Sequence, residues 1–427
     1  MNESFLHYIW RYRLLKPELF TTEGAPIEII KSGEHNTDSG ADFFDARIKI
    51  GETMWAGNVE IHKKSSDWSL HKHDDNEAYN NVILHVVYED DKRIKKQNGG
   101  YIPTLVIKDQ ILDYVIQNYK EIFASKNTIL CSNSLSEVNQ LSLTNTLERM
   151  AVTRLEHKSE EVRKYLSYTK NSWEDTFYWL LARYLGSSVN MLPFELLAKS
   201  LSLQILAKHK NNRLQLEALL FGQAGMLESD FEDDYPQQLK KEYNFLRKKY
   251  LLAPIDGHLW KLLRLRPSNF PTIRISQFAD LIYKSSHLFS VLLETKDISK
   301  LFSYFELSAS EYWDTHYVFD KASMKRKKTI GKSFVNVILI NVLVSIVFEY
   351  GTQHGQEIYR EKALHILENL LPEKNHIIEE WETVGIKPIN ALQTQALLEL
   401  YQNCKKKQCF SCGIGFQILN RKNDRKV

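Results

Sequence analysis

Near residue 110 the hydrophobic pattern changes its period, and that change bounds every fold open to the chain. Before it, apolar residues come in short runs between polar turns: PIEII (26–30), FFDARIKI (43–50), GNVEIHK (57–63), NVILHVVY (81–88) and TLVIKD (104–109). Each run reads as a strand, punctuated by Gly33, Gly40, Gly51, Gly57 and the Asn98-Gly99-Gly100 turn. Phe5, Leu6, Ile9, Trp10 and Leu14 fall on one face at helical spacing, so a helix opens the chain. A second short helix is predicted around Asp74 to Tyr79. The order is helix, three strands, helix, then the remaining strands.

After residue 110 the period is helical. Residues 134–166 form a long amphipathic pattern, with Ser134 as its N-cap and Glu137 three residues later. Further helices are predicted over 172–185, 192–208, 213–227, 236–249, 275–284, 287–294, 334–349, 355–370 and 391–402. No fixed-period repeat is present, so nothing supports a solenoid. The predicted fold is α+β: an α/β domain over 1–110, a helical domain over 111–403, and a Cys-containing segment with a loose basic tail, Arg421 to Val427, over 404–427.

Composition narrows the class. A chain of 427 residues with 43% hydrophobic and 26% charged residues is that of a globular protein. Its 56 Lys+Arg against 53 Asp+Glu give +3, so any basic surface must be local. The start, MNESFLHYIWRYRLL, has no uninterrupted apolar stretch of the kind a signal peptide needs. The longest apolar run, Val335 to Phe348, is broken by Asn336, Asn341 and Ser345 and falls short of the ~20 residues that span a bilayer. It reads as a buried helix. A cytoplasmic protein without a membrane segment is expected, with its cysteines as thiols or metal ligands.

The stretch from Asn36 to His85 carries the chemistry. Asp42 sits at the mouth of one strand. Glu60 and His62 are two apart on the next, so they share a face. Two carboxylates meeting at one end of a hairpin suit Mg²⁺ or Mn²⁺. Such an ion would activate water and stabilise a phosphodiester transition state, with His62 orienting the water. His71 and His73, after the Asp67-Trp68 turn, are a transition-metal pair, phosphate contacts, or members of a hydrogen-bonded polar pocket. His85, in an apolar strand, reads as a core histidine, and Trp55 and Trp68 as packing.

This order and spacing resembles the PD-(D/E)XK nuclease superfamily. Ala41-Asp42 stands where Pro-Asp is usual and Glu60-Ile61-His62 where Glu-x-Lys is usual. The resemblance implies an αβββαβ restriction-endonuclease-like core. It implies Mg- or Mn-dependent cleavage of nucleic acid, DNA favoured, with Glu3 on the first helix as the accessory acid. His62 in place of Lys loses a permanent charge, which a protonated His would partly replace. Lys63 points to the other face. Without the Lys, a nucleic-acid-binding or scaffolding protein with a decayed site is an alternative. A metal hydrolase of a small substrate, working through His62, His71 and His73, is another.

Cys131, Cys404, Cys409 and Cys412 are the four cysteines, the last three reading C-x4-C-x2-C. That spacing suits thiolates on one centre, Zn²⁺ or an iron–sulfur cluster, with unpaired thiols as the alternative. The arrangement is similar to the iron–sulfur-stapled nuclease domains of bacterial helicase–nucleases, which implies a 4Fe-4S cluster. There the lone Cys precedes the nuclease motifs; here Cys131 follows them.

In the helical region, Arg264, Arg266, Asn269, Arg274 and Gln277 gather around two prolines. They either bind nucleic-acid phosphates or fix a buried corner. Arg149, Arg154 and Lys158, diluted by Glu148, Glu156, Glu160 and Glu161, read as a solvated face. Glu217, Gly222, Gln223 and Gly225 read as tight helix packing. The whole chain also resembles an uncharacterised bacterial family, a domain of unknown function. GNVEIH, SSDW, LHVV, EALLFGQAG, RLRPSNFP and the terminal cysteines carry that resemblance. It implies a single-family cytoplasmic protein and no particular activity.

Overall fold

The computed structural model describes residues 1–97, 99–263 and 265–422. The protein is mixed α/β, with an N-terminal sheet and a large helical region. It divides into two compact units: Met1–Thr146 together with the chain from Tyr401 onward, and Leu147–Leu400.

The first unit opens with α1 (Glu3–Arg11), whose N-cap Asn2 accepts from the Phe5 amide. It buries Phe5, Leu6, Tyr8, Ile9 and Trp10, the apolar face seen in the sequence. Seven strands follow: β1 (Leu19–Phe20), β2 (Pro26–Lys31), β3 (Glu34–His35), β4 (Phe43–Ile50), β5 (Thr53–Lys64), β6 (Val82–Glu89) and β7 (Thr104–Val106). They form one sheet in the order β1-β2-β4-β5-β6-β7, with β3 pairing β4. β2, β4 and β5 pair antiparallel; β5, β6 and β7 pair parallel. The two-residue strands β1 and β3 were not legible in the sequence, being too short to show alternation.

β5 does two jobs. Its first half is an exposed hairpin arm against β4, and its second half is buried between β4 and β6. β6 buries six consecutive residues, Val82 to Val87, as a central strand covered on both faces must. Gly57 sits where the two strands meet. A Cβ there would lie 2.6 Å from the Asn81 carbonyl oxygen and 2.5 Å from the Ile83 side chain, so a larger residue would keep β6 from entering beside β5.

The helix expected around Asp74 to Tyr79 is not continuous. Instead α2 (Asp67–Leu70) is followed by two single turns, His73–Asp75 and Glu77–Tyr79. Lys72 is left-handed, and Asn76 is extended with its side chain accepting from the Ala78 amide. Both residues stop helix propagation.

Beyond the sheet, α3 (Asp113–Ala124) was not predicted. The long helix α4 (Gln140–Tyr168) starts later than its pattern implied, because Ser132–Glu137 is a 3-10 segment and Val138 is extended. Asn139, not Ser134, caps α4: its side chain accepts from the Leu141 amide at 2.8 Å.

The C-terminal segment belongs to this first unit. Phe410, in the turn Cys409–Ser411, packs its ring 5.5 Å from those of Tyr8 and Phe123. Asn118 of α3 donates to the carbonyls of Leu419 at 3.2 Å and Arg421 at 2.8 Å, tying down the helix Gly413–Leu419. Of the expected basic tail, Arg421 pairs with Glu137, and residues 423–427 lie outside the described residues.

The second unit is helical. Its apolar run is the core of a continuous helix, Lys332–His354, with a π turn at Leu339–Leu343. At 23 residues it is long and apolar enough to cross a membrane, yet 78% of its most apolar stretch is buried inside the protein. The run 192–208 is two helices, Ser187–Ser200 and Leu203–Lys208, because Ser202 caps the second. Gly222 lies flat under Tyr243, whose ring would be 2.0 Å from a Cβ at that position.

Candidate metal centre

The parallel pairing of β5 and β6 sets Glu60 directly opposite His85 and His62 opposite Val87. Glu60 and His62 share a face, as alternation requires. That face is covered by the crossover after β5. Trp68 of α2 and Tyr79 wall it: Trp68 lies 5.4 Å from the His73 ring and 5.3 Å from the His85 ring, and Tyr79 stacks on His73 at 3.7 Å. The result is a pocket of polar side chains in an apolar setting. Glu60 is 4% exposed, His62 1%, His73 9% and His85 not at all.

Three imidazoles converge there, and the Glu60 carboxylate stands against two of them, His62 and His73. One nitrogen each from His62, His71 and His73 lies within 4.8 Å of the others. His62 Nε2 is 3.1 Å from His71 Nδ1 and 3.4 Å from Glu60 Oε1; His73 Nε2 is 3.2 Å from Glu60 Oε1. His73 Nε2 is buried and makes no hydrogen bond, although a carboxylate oxygen stands beside it. His62 Nε2 and His71 Nδ1 are hydrogen-bonded to each other, whereas the close approach of His73 to Glu60 without one is the pattern of a lone pair aimed at a shared point. Tetrahedral nitrogen and oxygen ligands about 2.1 Å from an ion stand about 3.4 Å apart, which matches these contacts. The residues present therefore fit a divalent cation.

A supporting shell holds them. His62 Nδ1 is 2.9 Å from His85 Nε2, which fixes the His62 ring. His85, read from sequence as a core histidine, is buried as expected and also orients His62. The Asp42 amide donates to Glu60 Oε2 at 3.1 Å, and the Ile61 amide donates to Asp42 Oδ2 at 2.9 Å. The two carboxylates are thus braced reciprocally across β4 and β5. His7 Nε2 of α1 stands 3.3 Å from Asp42 Oδ2. Glu3, one helical turn before His7, is near enough to feel the charges of His7, Asp42 and His71.

Burial governs the electrostatics. It raises Glu60, which the His73 contact pulls back and the charge of Asp42 pushes further up. Burial also lowers His62 to about 2 and His85 to about 3, with repulsion from neighbouring histidines adding. Both rings are neutral at pH 7, as ligation requires. A protonated His62 standing in for the missing Lys is therefore ruled against by its surroundings. Burial opposes the charge on His7, but Asp42, Glu3 and Glu60 outweigh it and raise that group. Burial raises Glu3, which His7 partly offsets.

The sequence named Asp42, Glu60, His62, His71, His73 and Glu3, and the structure brings all of them to one place. It missed His7, which Glu3 four residues before it on the same helix face could have flagged. Lys63 is exposed on the opposite face. The helical residues lie in the second unit. Arg274 is 4% exposed, donating to Gln277 Oε1 at 2.8 Å and Asn269 Oδ1 at 2.7 Å, with its guanidinium 3.6 Å above the Phe334 ring. It is spent on that corner and does not reach solvent. Arg266 is exposed, and Arg264 lies outside the described residues. Lys158 donates to Asn341 at 2.7 Å, and Arg154 pairs with Glu399.

All four cysteines fall in the first unit. Cys131 opens the Ser132–Glu137 segment, which packs against the helix opened by Cys412. Burial raises Cys131 and Cys409 to about 12, and the charges of Cys409 and Cys412 add to the shift at Cys131.

Residues 3–376 match the family described as protein of unknown function, DUF2851. The chain belongs to that family. The matched span holds the whole His–Glu cluster and ends before Cys404, so membership in DUF2851 says nothing of the three C-terminal cysteines. Searches of the curated proteins and of the solved structures gave no match.

The neutral histidines make acid stability a direct readout. Below about pH 6.5 the unfolded chain protonates His62 and His85, while the folded, metal-free protein does not. Stability should therefore fall as pH drops from 7 toward 5, by up to about 1.4 kcal/mol per pH unit for each histidine. The raised Glu60 acts in the opposite sense, adding stability as pH falls through its folded value. Urea unfolding of the metal-free protein at pH 7, 6 and 5 checks this. The His85→Gln protein should show a shallower loss than the parent, and an equal slope would count against a neutral buried His85.

Proposed function

We propose that this protein is a metal-dependent hydrolase of phosphodiesters, a divergent nuclease built on a restriction-endonuclease-like core. Glu60, His62, His71 and His73 would hold the ion. The observation that carries the reading is the convergence of three imidazole nitrogens within 4.8 Å of one another, with buried Glu60 3.4 Å from His62 and 3.2 Å from His73. The strand order supports it: a helix, three antiparallel strands, a short helical crossover and a parallel strand, with the acidic residues at the same end of β4 and β5.

Three imidazoles favour Mn²⁺ or Zn²⁺ over Mg²⁺, which takes oxygen ligands and keeps its water. When bound, the ion supplies an acidified water and positive charge for the phosphoryl oxygens. The chain's own residues do the rest. Asp42, bonded to the Ile61 amide and paired with His7, keeps a carboxylate beside Glu60 that can take a proton from water. Its acidic neighbours favour the charged form of His7 at the rim of the site. His71 is exposed and leaves the centre open to solvent, while Trp68 and Tyr79 exclude water from behind.

We also propose that Cys131, Cys404, Cys409 and Cys412 hold a second centre, a 4Fe-4S cluster or Zn²⁺. The spacing of the last three and the placement of all four in one unit support it. The raised thiols at Cys131 and Cys409 need a cation to become thiolates, which a bound metal supplies.

Two tests follow. Metal-stripped protein restored with Mn²⁺, Zn²⁺ or Mg²⁺ should cleave oligonucleotides best with the first two, and Glu60→Gln should lower the rate about 100-fold. Undiminished cleavage by the folded Glu60→Gln protein would refute the assignment. For the cysteines, anaerobically purified protein should be brown with iron and sulfide, or colourless with zinc lost in Cys409→Ser. Protein containing neither metal would remove the second centre.

A further inference from the structure

A cleft of about 500 Å³ opens beside Asp42, between α1 and the C-terminal segment. Arg11 lines it from α1, and Lys406 and Lys407 line it from the stretch between Cys404 and Cys409. No Asp or Glu lines it among the described residues. None of the three cations makes an ion pair there among the described residues, and all three are exposed. In a chain of net charge +3, three unneutralised cations around one cleft are a local concentration of positive potential.

His7 joins this cleft to the metal centre. Its ring lines the cleft, and its Nε2 lies 3.3 Å from Asp42 Oδ2. An anion seated on the cations therefore extends toward the residues that would cleave it. Tyr12 adds an aromatic surface: it lines the cleft, is 39% exposed and is braced 4.8 Å from the Phe416 ring. Cations alternating with an exposed ring are the chemistry of single-stranded nucleic-acid grooves. The volume is that of a site for one drug-sized ligand, room for a short stretch of one strand.

We propose that this cleft binds single-stranded nucleic acid, with phosphates on Arg11, Lys406 and Lys407 and a base against Tyr12. The purpose of such binding rests on the hydrolase reading; the binding itself does not. The stretch between Cys404 and Cys409 thus serves as a phosphate grip as well as a carrier of thiols. Charge counting along the chain missed it because Arg11 and the two lysines are almost 400 residues apart in sequence.

The test is fluorescence anisotropy of a labelled single-stranded oligonucleotide with the full-length protein in excess chelator, across a salt series. The parent protein should bind with a steep salt dependence. Lys406→Gln/Lys407→Gln should weaken binding about tenfold or more and make the salt slope shallower by about one or more. Tyr12→Ala should weaken binding and leave the salt slope unchanged. Equal affinity of the lysine variant and the parent, with matching circular dichroism and melting, would overturn the proposal, as would tighter binding of the same sequence as a duplex. Because chelator removes the ion, this outcome is independent of cleavage. Binding that depends on the lysines in a protein that never cleaves would sink the hydrolase and leave the cleft standing.

Discussion

The structure depends on how a carboxylate is kept out of water. Glu60 is 4% exposed, and an isolated buried carboxylate costs several kcal/mol unless it is neutralised or paired. Here its partners are the Asp42 amide and the imidazoles of His62 and His73, and burial drives His62 toward the neutral form. Neutral rings cannot repay the cost of a negative charge. A divalent cation can, since it satisfies the carboxylate and the lone pairs together. Burial accounts for the raised Glu60 and the depressed His62 and His85, and the proposed ion would give the buried nitrogen of His73 a partner.

The fold serves that demand. Parallel pairing of β5 with β6 puts His85 beside Glu60, where it can anchor His62 from behind. The interrupted crossover brings His71 and His73 back over the same strand, because the left-handed Lys72 turns the chain between them. Antiparallel pairing of β4 with β5 lets the Asp42 and Ile61 amides lock both carboxylates. Helix α1 then contributes Glu3 and His7 on one side and Arg11 on the adjoining cleft.

Much of this was legible in the sequence, for identifiable reasons. Strands β2, β4, β5 and β6 announce themselves by alternation or by unbroken β-branched runs, and the two-residue spacing of Glu60 and His62 fixes a shared face. The residues that gather around Glu60 were singled out because acidic and histidine side chains are rare at such density on strands. Three things were hidden. The crossover helix was misplaced because Asn76 and Lys72 act through backbone conformation, which apolar spacing does not encode. The start of α4 was misplaced because Ser134 and Asn139 are both good caps, and the hydrogen bond from the Asn139 amide to Gln417, which holds the second in place, is a long-range contact. The return of the chain from Tyr401 to the first unit was invisible because contacts such as Asn118 with Leu419 leave no local periodicity.

The proposed divalent ion would sit among Glu60, His62, His71 and His73. Crystals soaked in Mn²⁺ or Zn²⁺ and measured on either side of the metal's absorption edge test it directly. An anomalous peak bounded by those four side chains is expected, with His85 still bonded to His62. Full soaking with no peak there, and the His73 and Glu60 side chains left in direct contact, would contradict it.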